Sequence, residues 1–138
     1  MTEHACPRFP EQDFVEVLAS WEFPPEPMSV TTARVEAAAL LADLQIEHTY
    51  EAQIIVDELA ANAVVHARTN FELTIERWQN GLRIVVRDLS KLKPYIQYPD
   101  ALAESGRGLF MLDDVADDWG YHPTEDGKCV WANVFVNF

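Results

Sequence analysis

Residues 54–67 read I-I-V-D-E-L-A-A-N-A-V-V-H-A, a nearly all-apolar segment that carries Glu58, Asn62 and His66 at four-residue intervals. A helix turns through roughly 100° per residue, so these three side chains fall within about a quarter turn of one another. Glu51 and Thr69 extend the same stripe. Ile54, Ile55, Val56, Leu59, Ala60, Ala63, Val64, Val65 and Ala67 occupy the other directions, the pattern of a buried helix. A carboxylate buried without a partner is costly or becomes neutral. The stripe therefore either satisfies itself internally or lines a pocket.

Working outward from this helix, the preceding segment repeats apolar residues at three- and four-residue steps through Val30, Ala33, Ala37, Leu40, Leu41 and Leu44. That spacing predicts a first helix from about residue 30, with Ser29 as its N-cap. Residues 15–23 form a candidate strand, ended by Pro24, Pro25 and Pro27, which lack amide donors. Before it, residues 1–14 are polar with Pro7 and Pro10, an expected N-terminal arm loosely held to the domain of residues 15–138. On the other side, residues 71–78 and 82–88 alternate apolar and polar side chains around Asn80-Gly81, the signature of a hairpin. Residues 89–105, with Pro94 and Pro99, show no period and are long for a connection, as lids often are. Helical spacing returns over residues 108–116, and residues 119–122 and 129–138 read as strands around a turn at 124–127.

The chain has 138 residues, 49% hydrophobic and 24% charged, which suits one globular domain. Ten Lys and Arg against 23 Asp and Glu give a net charge of −13, which opposes attraction to nucleic acid or anionic membrane. Cys6 and Cys129 are too few for a disulfide framework and lack metal-ligand spacing, so reduced thiols in a cytoplasm are expected. No apolar run approaches the roughly 18 residues of a membrane span, and no export signal is evident.

Three further features carry possible chemistry. Leu82, Ile84, Val86 and Asp88 share one strand face, so Asp88 either accepts hydrogen bonds from a bound group, such as an exocyclic amine, or marks the strand's exit into solvent. Ser105-Gly106-Arg107-Gly108-Leu109 opens a helix with free amides and little bulk, suited to an anion or to an ordinary turn. On the opening stripe, Asn62 could offer its amide oxygen to Mg²⁺, and Glu58, one turn earlier, could orient or deprotonate a hydroxyl. An internal network accounts for the same stripe, and His66 reads as structural.

The order helix with E-L-x-x-N-A-x-x-H-A, hairpin ending in Asp88, connecting segment, G-R-G-L and final strand with G-K-x-V-W resembles the ATP-binding fold of gyrase, heat-shock chaperone, histidine kinase and mismatch-repair ATPases. It looks most like the small anti-sigma factor serine kinases. The resemblance implies an α+β two-layer sandwich, a mixed, largely antiparallel sheet with about three helices on one face. It also implies that Asn62 coordinates Mg²⁺, Glu58 is the catalytic base and Asp88 binds the adenine amino group of ATP. Gly106, Arg107, Gly108 and Leu109 would hold the phosphates, and residues 89–105 would form the lid. Cys129 stands where the family often carries a Thr near the base, and Ser90 where it often carries a Gly.

Family members bind ATP, hold a sigma factor inactive and phosphorylate a serine of an antagonist protein, commonly as homodimers. The resemblance thus implies a cytoplasmic serine kinase and anti-sigma factor with those partners. Ser90 and Cys129 favour the alternative, a non-catalytic module that only sequesters a partner. A sensor histidine kinase fits poorly, since no phosphoacceptor helix or membrane segment is evident in the sequence.

Overall fold

The computed structural model describes residues 6–46, 49–94 and 108–136, with side chains described from Leu112 onward in the last segment. Five strands form one sheet in the order β1-β2-β3-β5-β4: β1 Phe14–Phe23, β2 Phe71–Trp78, β3 Gly81–Asp88, β4 Asp118–Pro123 and β5 Lys128–Phe135. Every pairing among the described residues is antiparallel, in keeping with the largely antiparallel sheet that the resemblance implied. The alternation of β2 and β3 puts Phe71, Leu73 and Ile75 on one face with Leu82, Ile84 and Val86, all buried. Val130, Ala132 and Val134 of β5 continue that face. The hairpin turn falls one residue earlier than expected, at Gln79-Asn80, because Trp78 pairs with Gly81. Gly81 belongs to the strand for a steric reason: a Cβ there would lie 2.1 Å from the Val134 carbonyl oxygen.

Three helices cover the apolar face: α1 Pro27–Asp43, α2 Tyr50–Asn62 and α3 Gly108–Val115. Helix α2 packs on β3 and β5, with α1 and α3 against its flanks. Helix α1 starts at Pro27 rather than at residue 30, since proline suits a first-turn position whose amide would be unbonded anyway. Ser29 is consequently inside the helix, donating its hydroxyl to the Pro24 carbonyl at 2.7 Å instead of capping. Ala33 and Ala37 of α1, Ala60 of α2 and Ala63 just after it are buried. None of the described helices is long and apolar enough to cross a membrane.

The opening helix does not remain an α-helix to Ala67. Residues Ala63–Ala67 form a π-helical turn, closed by the Arg68 amide donating to the Ala63 carbonyl at 2.8 Å. Arg68 itself is left-handed, with φ of 59°. Such widened turns often occur at functional sites because they redirect side chains at a helix end.

The opposite face of the sheet is covered by the N-terminal arm, which is pinned rather than loosely held. Cys6 forms a disulfide with Cys129 of β5, so the two cysteines are not reduced thiols. Arg8 donates to Glu76 at 3.0 Å and its guanidinium lies 4.0 Å from the Phe14 ring centroid. Arg83 donates to the Phe9 carbonyl at 3.0 Å and to Asn133 Oδ1 at 2.7 Å, with Trp78 and Trp131 against its guanidinium. Burial, the largest influence on it, lowers the Arg83 pKa. The arm was opaque to periodicity because its contacts are with residues far along the chain.

Candidate functional site

A cavity of about 160 Å³ lies where the widened end of α2 meets the ends of β3 and β5. Asn62, Ala63, His66 and Ala67 form one wall, and Val86 and Asp88 of β3 with Lys128 and Val130 of β5 form the floor. Leu59 of α2 adds to the lining, as do Ser90, Leu92, Lys93 and Pro94 from the described part of the expected lid.

Asp88 reaches this floor because the even-numbered residues of β3 face the helices, and its side chain is 3% exposed. It does not emerge into solvent. Asp88 and Lys128 are directly paired across β3 and β5. Lys128 Nζ lies 3.0 Å from Oδ2 and donates to Oδ1 at 3.1 Å. The Ser90 amide also donates to Oδ1, at 2.8 Å, while Ser90 Oγ accepts from the Leu92 amide at 3.2 Å. These two turns after the strand hold the carboxylate in place. Gly127 permits the approach of β5, since a Cβ there would lie 1.9 Å from the Asp88 carbonyl oxygen.

Burial first, and the neighbouring Arg68 charge second, hold the His66 imidazole below its ordinary pKa of 6.5. A neutral ring is therefore favoured at this cavity wall near neutral pH.

The structure brings Asn62 and Asp88 to one cavity and adds His66, which had read as structural. Glu58 is half-buried one turn before Asn62 but does not line the cavity. Cys129 is displaced from the expected site. Side chains alternate along β5, so Lys128 and Val130 face the cavity while Cys129 turns to the opposite face and its disulfide. Gly106 and Arg107 lie outside the described residues, and Gly108 and Leu109 begin α3. Lys128 was missed, although its parity with Val130, Ala132 and Val134 is visible in the sequence.

Residues 23–134 match the model of the Histidine kinase-like ATPase domain. The chain belongs to this family. The arm and nearly all of β1 precede the matched part of this ATPase-family domain. No curated protein matches the sequence. Among solved structures, the fold is similar to that of the RsbU and RsbW domains of Rv1364c from Mycobacterium tuberculosis, with a TM-score of 0.64 and 13% identity over 86% of this chain. The domain spans 32% of the length of that chain. Family membership implies nucleotide binding, and the donor set at the cavity floor fits a base. A buried carboxylate can accept from an exocyclic amine, and Val86 and Val130 offer apolar surface beside it.

Proposed function

We propose that this ATPase-family domain binds ATP with Mg²⁺ and acts as an anti-sigma factor with protein serine kinase activity, transferring phosphate to a serine of an antagonist protein. The observation that carries the reading is the convergence of Asp88 and Asn62 on one cavity from separate elements. In this reading Asp88 accepts from the adenine amino group, and Asn62 offers an amide oxygen to Mg²⁺, which takes few protein ligands when phosphates and water supply the rest. The metal, when bound, neutralises charge on the phosphates. Gly106, Arg107, Gly108 and Leu109 hold the phosphates through helix-start amides, and Glu58 is the base that orients the serine hydroxyl. A sigma factor, the antagonist and a second copy of the chain are the partners. The motif order supports this choice within the family, as does the similarity in fold to the RsbU and RsbW domains of Rv1364c.

The test is direct. Asn62→Ala should abolish Mg-ATP binding in calorimetry, whereas Glu58→Ala should preserve binding and lower transfer of labelled phosphate to serine in a lysate of the source organism by about 100-fold or more. Wild-type rates from both variants would sink the assigned roles. A second reading, a non-catalytic module that sequesters its partner, is favoured by one observation: Glu58 does not line the cavity that Asn62 and Asp88 share. Tight ATP binding by the wild type with no phosphoserine formed would select it.

A further inference from the structure

The cation buried against Asp88 has no part in the function proposed above. Its hydrogen-bond inventory can be counted. An ionised carboxylate offers about four acceptor positions and an ammonium three donors. Oδ1 takes the Ser90 amide and Lys128 Nζ, while Oδ2 has Nζ at 3.0 Å. Acceptor capacity therefore remains on Oδ2. Nζ meets the Ser90 carbonyl only at 3.5 Å, the outer edge of hydrogen-bonding range, so it retains a donor for a better partner. Both residues line the cavity. The floor accordingly presents one acceptor beside one donor.

We propose that Lys128 reads the nucleotide base, its ammonium donating to N1 of adenine while Asp88 accepts from the adjacent 6-amino group. The assignment rests on the nucleotide-binding reading above and extends it to a residue of this chain's own. Adenine carries that amine and N1 side by side on one edge, matching the acceptor and donor of the floor. Lys128 also pairs with the Asp88 carboxylate between Val86 and Val130, where a lone charge would be costly to bury. A charged donor to N1 in a buried site is stronger than a neutral one. Guanine in the same orientation would set its 6-oxo group against Asp88 and its N1–H against Lys128, a mismatch at both positions.

Equilibrium titration of the full chain with Mg-ATP, Mg-GTP and Mg-1-deaza-ATP, in which a C–H replaces N1, tests the assignment. The wild type should bind 1-deaza-ATP and GTP at least about tenfold more weakly than ATP, the scale of one hydrogen bond to a charged group. Lys128→Met should weaken ATP by at least that factor, since it also unpairs Asp88, and should bind ATP and 1-deaza-ATP alike, because the lost donor and the lost acceptor belong to one contact. Equal affinity of the wild type for ATP and 1-deaza-ATP overturns the role of Lys128 while leaving nucleotide binding intact, and this arm does not depend on the variant folding. Failure of the wild type to bind any of the three overturns both readings.

Discussion

His66 shows how a single side chain changes meaning once its surroundings are known. Its four-residue spacing from Asn62 put it on the stripe, but spacing alone did not distinguish a packed histidine from one at a cavity wall. Because its folded pKa is lowered below the ordinary 6.5, the unfolded chain binds more protons there than the folded one as pH falls past that value. Stability from this group is thus present above pH 6.5 and lost as pH falls toward the folded pKa. Urea unfolding of the wild type across pH 5 to 8 should show this slope, and His66→Gln should flatten it. Asn62 and Asp88 were the most legible residues, since each is a polar side chain at an apolar face, a conflict readable without coordinates.

At the scale of elements, the strand ends decide the site. Cys129, which the resemblance put near the base, lies on the face of β5 turned away from the cavity, and one position along a strand changes the face. Lys128 then pairs with Asp88, and the turn before β5 must pass against the end of β3. Gly127→Ala places a methyl group into the Asp88 backbone, which cannot yield as a flexible side chain would. The substitution should cost about 1–3 kcal/mol in urea melts. It should also weaken ATP binding by displacing Asp88, whereas Gly120→Ala, whose added Cβ would meet the Trp131 ring, should leave ATP affinity unchanged. The π-helical turn after Asn62 was likewise hidden, because apolar spacing over five residues does not separate a helix from its widened variant.

Across the whole molecule, the arm and the helices cover opposite faces of one sheet, and the Cys6–Cys129 bond ties residues 123 positions apart. Closing so long a loop restricts the unfolded chain, which places the expected contribution at about 2–4 kcal/mol. Thermal unfolding with and without dithiothreitol should show a lower midpoint in the reduced protein, and Cys6→Ser should remove the difference. An unchanged midpoint would mean that the arm's ion pair and cation–π contacts hold it without the bond. The sequence by itself determined the order of strands and helices, because periodicity, glycine and proline act over a few residues, and the resemblance of its motif order pointed to the family; whether Asn62 and Asp88 share a pocket stayed open at that level. Only the tertiary structure decided that Lys128 neutralises Asp88, that Glu58 stands off the cavity and that Cys6 reaches Cys129. Those contacts join distant residues, and their register is set by the packing of the sheet as a unit rather than by any local pattern.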